Sequence, residues 1–509
     1  MIGISSANTA RTDRRRGVAV ILVFLILALT MGLSYAAIRA QSGAAGIARN
    51  ANRNLDARQA ALTGAAMALR KMHTNAWGGV DTSIAGSLGD GLSFQADYAA
   101  GDPRLNSTHP EYGDLPFRVT ISVVGRAVDP DNPQCVAEHH LRVITRLVPR
   151  ALGVVPWQWN ELTSATVYQN WPGGFTIYPG SRIEGPVRTQ ATVRIRDGIQ
   201  WTPTHYNGYF LGLNQRRQAG MGDQRPFTGP IRIINSWQDW DTLGLLNTQM
   251  GVSTVSAIWQ VIVYWTIPAS TLSYRLYPGG PVYSAVIVGD RLKTTTLAAD
   301  PATNPLGLFY RAGQIELRDD VTVHGTLMAD RVGGANVLLQ GKRIQLQPVD
   351  FPAIVGDSRP VQLPVVMAGD KLLVREDAQA ELKGLVACFD TFDVTEDKQG
   401  DIEFLLEGKL IAGNVRIKHR SEWINPSRDS DWWENRWVEY QAQKDLPGGS
   451  KYFSDFLSRF YSLSSEPKIV IKPAPNNIRY HWLTLSQPIY VPASGDPGLR
   501  WQVLDWSER

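Results

Sequence analysis

The sequence predicts an α+β, mainly β protein. It combines a long N-terminal membrane-spanning helix, a β-hairpin module, a large β region that reads as a parallel β-solenoid, and a small C-terminal cap of helix and strand. Three observations carry this. Arg14-Arg15-Arg16-Gly17 runs directly into the uncharged stretch Val18 to Ile38. Residues 117–148 alternate apolar and polar side chains around one turn cluster. A seven-residue motif centred on glycine occurs four times further along.

Length and composition set the bounds. A chain of 509 residues is long enough for two or three domains. With 43% apolar and 19% charged residues it is globular in composition, not disordered. The formal charge is +4, and Arg11, Arg14, Arg15 and Arg16 lie in the leader, so the body is near neutral. That argues against a nucleic-acid partner, which calls for a concentrated basic patch. The two cysteines, Cys135 and Cys388, are too few for a disulfide framework. Sixteen tryptophans and thirty prolines suit a loop-rich β protein.

Val18 to Ile38 is 21 residues, softened only by Thr30, Gly32 and Ser34. As a helix it spans about 31 Å, the thickness of a bilayer's hydrocarbon core. The arginines before it predict a cytoplasmic N-terminus and an exported body. Three readings stand open: a cleaved signal peptide with a small-residue site at Ser34-Tyr35-Ala36, an uncleaved signal anchor, and a helix that continues out of the membrane. For the third, Ala44, Ile47, Ala48, Ala51, Leu55, Leu62, Ala65, Ala66, Leu69 and Met72 recur at helical spacing. No proline interrupts Val18 to Met72. Such a helix would run about 80 Å. Gly32, Gly43 and Gly46 weaken it by roughly 1 kcal/mol each.

Arg16-Gly17-Val18-Ala19-Val20-Ile21-Leu22, the apolar run to Ile38, and Arg53-Asn54-Leu55-Asp56-Ala57-Arg58-Gln59-Ala60-Ala61-Leu62 together resemble the N-terminal region of PilX-type minor pilins and of K-type pseudopilins of type II secretion. The likeness covers roughly residues 14–72. It implies removal of the leader by prepilin peptidase after Gly17, leaving Val18 as the mature terminus. It also implies a helix, with Leu22, Leu25, Leu29 and Ile38 among its apolar positions, that anchors the subunit in lipid and packs with other pilin-like subunits. Most pilins carry glutamate at the fifth mature position. Leu22 stands there, which fits the PilX and K-type subgroup and weighs against a major-pilin role.

Phe117 to Val128 reads as a strand, with Phe117, Val119, Ile121 and Val123 on one face. Asp129-Pro130-Asp131-Asn132-Pro133 is a turn, and Val136 to Val148 is the returning strand. His139 and His140 point to opposite faces of it, which argues against a shared metal. The repeat follows: Ile183-Glu184-Gly185-Pro186-Val187-Arg188-Thr189, Val323-His324-Gly325-Thr326-Leu327-Met328-Ala329, Leu382-Lys383-Gly384-Leu385-Val386-Ala387-Cys388 and Leu406-Glu407-Gly408-Lys409-Leu410-Ile411-Ala412. Its apolar, glycine, apolar and small positions are two apart and predict one inward face of a strand. Each glycine admits a neighbouring backbone. Stacked copies suit a solenoid, with an ordinary β-sandwich as the alternative. Cys388 occupies the small slot of Ala329 and Ala412, so it reads first as a core residue, and an exported compartment would also permit a bond to Cys135 in the other module.

Ser427 to Tyr440 predicts an N-capped helix with Trp433, Trp437 and Tyr440 aligned. A second short helix is expected over Tyr452 to Tyr461, then strands at Ile469–Ile471, Ile478–Leu485 and Trp501–Trp506. The aromatics suit either a cover for the open end of the β region or a platform for a glycan or partner. The sequence lacks P-loop, GxSxG, HExxH, CxxC and GxGxxG motifs. Asp319-Asp320, near Arg318 and His324, is the nearest approach to a carboxylate site of a β-helix polysaccharide enzyme.

The expected division is a leader at 1–17, a membrane segment at 18–38 continuing as helix to about 72, a pilin-like module at 73–150, a solenoid-like region at 151–425 and an aromatic-rich cap at 426–509. The expected function is a non-enzymatic, membrane-anchored subunit without cofactor or metal. Its partners are the lipid bilayer, prepilin peptidase, and other pilin-like or pilus and secretion assembly proteins. The alternatives are an unprocessed envelope scaffold and, less favoured, a carbohydrate-active enzyme.

Overall fold

One helix, α1, runs unbroken over Ala10–Met72, 63 residues. Its alanine- and leucine-rich, proline-free sequence favours that conformation throughout. Arg70 and Lys71 in the last turn complement the helix dipole. The end is capped by side chains: His73 Nδ1 lies 2.8 Å from the Leu69 carbonyl oxygen and Thr74 Oγ1 donates to that of Lys71 at 2.8 Å. The computed structural model describes residues 10–130, 132–153, 165–169, 175–177, 181–189, 193–195, 199–200, 231–233, 272–330, 336–375, 377–395, 402–418, 430–449, 468–474, 478–481 and 488–508.

The second half of α1 is roofed by an antiparallel sheet. Its strands are β1 (Ser83–Gly89), β2 (Leu92–Ala100), β3 (Arg118–Val128), β4 (Val136–Val148) and, at the edge beside β4, the C-terminal strand Arg500–Glu508. All four pairings are antiparallel. The predicted hairpin is present, with Val128 opposite Val136 and Arg118 opposite Arg146.

The covered face of the helix differs from the predicted stripe. Ala57, Ala60, Ala61, Ala65, Ala68 and Met72 are fully buried, whereas Ile47, Leu55 and Leu62 stay exposed. The reason is steric: a helix lies close to a flat sheet only on its small-residue side. At Gly125 of β3 the approach is so close that a Cβ would overlap the Ala57 carbonyl oxygen and the Ala61 amide nitrogen. Positions before Ala57 lie beyond the reach of the sheet, so their apolar periodicity buries nothing within this chain.

The remaining described residues form mostly short parallel strands. They form three ladders, joined at corners. In one, Leu327, Val366, Val386, Leu410, Val167, Val187 and Ile231 stand side by side. In the second, Leu292, Leu317, Leu339, Val374, Val394, Ile417 and Ile177 do so. In the third, the row is Val323, Leu346, Leu382, Leu406, Ile471 and Ile183. Apart from Ile231, whose side chain lies outside the described residues, these rows face inward and merge into one buried apolar core. The order along the ladders is not chain order, because Val167–Gln169 stacks on Leu410–Ala412 and Ser181–Ile183 on Ile469–Ile471.

A second core joins the two parts. It runs from Ala61, Ala65, Ala68 and Met72 of α1 through Val119, Ile121 and Val143 of the sheet to Tyr310, Met328, Met367 and Ile411 on the outer side of the first ladder. Two aromatic groups bridge the seam: Trp77 stacks on Tyr277 at 6.5 Å, and Phe117 meets Tyr490 edge-on at 5.9 Å. Buried apolar contact of this extent fixes the ladders rigidly against the helix module.

The expected cap at 426–509 is not one unit. Ile469–Lys472 belongs to the third ladder, and Arg500–Glu508 belongs to the helix module. Strand pairing over hundreds of residues, not local composition, decides both. Residues 419–429 and 451–467, with the expected cap box at Ser427 and the second helix at Tyr452 to Tyr461, lie outside the described residues. So do 482–487, within the expected strand Ile478–Leu485, of which Arg479–Tyr480 is a strand.

Candidate functional site

The uncovered half of α1 is the candidate site. Val18, Leu22, Leu25, Leu29 and Ile38 are each more than half exposed, as are most apolar neighbours between them. From Val18 the helix is long and apolar enough to cross a membrane, and its most apolar window buries none of its residues within the chain. At roughly 2 kcal/mol per large apolar side chain, the thirteen such residues from Val18 to Ile38 other than Tyr35 leave on the order of 25 kcal/mol of unrealised burial. No isolated surface helix tolerates that in water, so this segment must be covered by lipid or protein. Gly17 lies within α1, directly before Val18.

The boundary between uncovered and covered helix is held by ion pairs. Arg53 meets Asp129 of the β3–β4 turn at 2.8 Å, and Arg58 meets Glu508 of the last strand at 2.7 Å. Glu508 in turn holds the Arg58 guanidinium above its ordinary value. Deeper in, Asp102 and Arg118 form a buried pair at 2.9 Å, with Arg118 also reaching Glu111 at 2.6 Å. Burial alone would raise the Asp102 carboxyl, but hydrogen bonds from Arg104 and Arg118 outweigh it and hold it below the usual range.

The four repeat glycines mark one corner of the ladders, in register. Gly384 lies beside Gly408, Leu382 beside Leu406 and Cys388 beside Ala412. The glycine does not sit inside one flat strand face. The chain changes ladder there: Leu382 pairs with Leu346, but Val386 pairs with Val366. Gly185 and Gly384 turn the corner with φ of +82° and +98°. At Gly325 and Gly408 a Cβ would overlap the carbonyl oxygen of Gly307 or Gly384 in the adjoining coil.

The remaining candidates are placed as follows. Asp319 accepts the Lys342 amide at 3.0 Å and lies 3.5 Å from Lys293 Nζ. Asp320, at φ +61°, is paired with Arg343. These contacts hold both carboxyls below their ordinary range, beside Lys293 and Arg343. Cys388 is fully buried, Cys135 lies at the β3–β4 turn, and both are free. His139 lies 3.7 Å from Glu508 and His140 3.8 Å from Glu138. Among the described residues no cluster of three or more His, Cys, Asp or Glu could hold a metal. On α2 (Ser430–Gln443), Trp437 is half exposed and meets buried Tyr440 at 5.4 Å. The Trp433 side chain lies outside the described residues.

Two polar groups escaped sequence reasoning. His481 is 2% exposed with neither ring nitrogen hydrogen-bonded, and burial pushes it down to about 4. Lys409 lies over the Tyr480 ring at 6.0 Å, and burial lowers it to about 8. His481 stands in no motif, and Lys409 holds the position after the repeat glycine, where the copies vary among Pro186, Thr326, Leu385 and Lys409, so no sequence signal pointed to them.

No protein family matches the sequence, and no curated protein does. Among solved structures, the chain is similar to a domain of an ice-binding protein of Shewanella frigidimarina, with TM-score 0.26 and 12% identity over 54% of this chain and 97% of that one. It is also similar to the competence-associated pilin ComZ of Thermus thermophilus, with TM-score 0.23 and 9% identity over 90% of this chain and 97% of that one.

Proposed function

We propose that the chain is a membrane-anchored, pilin-like subunit that takes part in assembling a type IV pilus or a related secretion pseudopilus. Val18 to Ile38 sits in the bacterial inner membrane with the N-terminus cytoplasmic and the body exported. Prepilin peptidase cuts after Gly17, and the freed helix leaves lipid only where helices of other pilin-like subunits cover it. Leu22 at the fifth mature position, where most pilins carry glutamate, fits the PilX or K-type group. The three ladders form a parallel β-solenoid whose surface is a rigid display scaffold, with no cofactor and no catalytic role. The observation that carries this reading is the division of α1. The segment from Ala57 is roofed by an antiparallel sheet, whereas Val18 to Ile38 is apolar all round and uncovered among the described residues.

Determination of the mature N-terminus, with and without a prepilin peptidase, tests it. The expected result is Val18 with the peptidase and Met1 without it. Met1 in both samples favours an unprocessed envelope scaffold. A Gly17→Ala chain still shortened to Val18 also contradicts the proposal.

A further inference from the structure

The strand Arg500–Glu508 ends the described chain, yet it closes the module that the first helix begins. It pairs along β4 from Val148 to Leu141, where Leu141, Val143, Ile144, Thr145 and Leu147 are all buried. Two contacts tie it to both ends of the covered helix segment. The Trp501 amide donates to His73 Nε2 at 3.0 Å, across 428 residues of sequence. Glu508 pairs with Arg58 across 450. The His73 ring thereby donates through Nδ1 to the helix end and accepts through Nε2 from the strand, which fixes its neutral tautomer. Trp501 is buried edge-on against Trp77 and Tyr277, at 5.5 and 5.3 Å. Just before the strand, a Cβ on Gly498 would overlap the His73 carbonyl.

Without this strand, β4 would present an apolar, unpaired edge, and Trp77 and Tyr277 would lose a wall. The outer edge of the strand itself pairs with nothing among the described strands, and Gln502, Val503 and Leu504 are exposed. Its hold is therefore one ladder, one anchor side chain, the ties to His73 and Arg58 at the two ends of the covered helix segment, and an ion pair from Asp505 to Arg104 at 2.8 Å. Edge pairing of this kind is the chemistry by which proteins accept an extended peptide as an added strand. The ladders close late as well, since 167–169 and 181–183 stack on 410–412 and 469–471.

We propose that Leu499–Glu508 is a donor strand. The groove formed by β4, His73 and Arg58 is a peptide-binding site whose occupant is this chain's own segment 499–508. Until that segment arrives, the sheet that roofs α1 keeps an open apolar edge along β4. A chain interrupted before residue 499 thus carries α1 and β1–β4 but leaves the edge of β4 open. The claim concerns folding, so it stands or falls independently of pilus assembly.

The test uses the full chain in detergent with a specific protease site inserted after exposed Gly495. After cleavage of the folded protein, the fragment is expected to co-elute on gel filtration. A labelled synthetic peptide of residues 496–509 is expected to displace it saturably. A Trp501→Ala peptide should bind at least tenfold more weakly. A Glu508→Arg peptide should bind weakly to the parent but recover on an Arg58→Glu protein. Spontaneous loss of the fragment with unchanged amide protection in β4 and 57–72 would overturn the proposal. A second measurement needs no cleavage: Trp501→Ala in the intact chain should lower protection of β4 and 57–72 together at least tenfold, while 403–417 is unaffected. Unchanged protection there refutes the idea even if the cut protein fails to stay folded.

Discussion

Replacing Gly125 by valine probes how the sheet seats on the helix. In the native packing, the strand backbone at Gly125 touches the backbone of Ala57 and Ala61. The overlapping atoms are main chain, so no rotamer change relieves an added Cβ; strand and helix must separate by about 1 Å. A gap of that size forfeits a quarter to a half of the dispersion energy at each affected contact. The losses fall on Ala57, Ala60, Ala61, Ala65 and Ala68, all fully buried. Overpacking in closed cores costs about 1–3 kcal/mol. With its two further methyls, valine falls at the upper end, about 3 kcal/mol, and alanine nearer about 2 kcal/mol. At 1.4 kcal/mol per decade, valine lowers protection of the 57–72 amides by roughly a hundredfold. Hydrogen exchange on the full chain in detergent reads this directly. Gly113→Ala is the control, since a Cβ there meets nothing within 4 Å. A Gly125→Val chain within about 0.5 kcal/mol of the parent would refute the close seating of helix on sheet.

Three further outcomes are expected. Asp102→Ala removes the buried partner of Arg118 but leaves it Glu111 at 2.6 Å, so the cost falls at the lower end for a broken buried pair, about 3 kcal/mol, read as a lowered urea midpoint. His481, ordinarily near 6.5, holds at about 4 in the fold, so the unfolded chain binds the extra proton between those values. Stability is therefore full above about pH 6.5 and falls by about 3 kcal/mol as pH drops to 4; His481→Leu should flatten that slope in urea midpoints taken from pH 7 to 4. Leu25→Asp with Leu29→Asp opposes insertion by about 3 kcal/mol per residue, so the double variant should leave the membrane fraction. Undiminished membrane association of that variant would speak against anchoring by this segment.

What was legible in the sequence was local. The β3–β4 hairpin announced itself because Val119, Ile121 and Val123 alternate with polar residues and a proline-rich turn follows. The repeat glycines were legible as a motif and stand in register at one corner. The β1–β2 hairpin was not, because Ser83–Gly89 is rich in glycine and serine and reads as loop. It turns through Gly89, Asp90 and Gly91, all at positive φ. Which face of α1 is covered was also hidden, since alanine looks featureless until a sheet needs close approach. The partner of Trp501–Trp506 and the stacking of Val167 on Leu410 depend on contacts hundreds of residues apart, which one sequence does not encode as a pattern.

The central claim is that the helix from Val18 to Ile38 is buried in a bilayer with the body outside the cytoplasm. Fractionation of cells making the native chain, followed by alkaline washing and protease treatment of spheroplasts, tests it most directly. The account predicts a protein that stays with the inner membrane through the wash and whose body is digested from the outside. A full-length chain recovered freely soluble from the cytosol would contradict it.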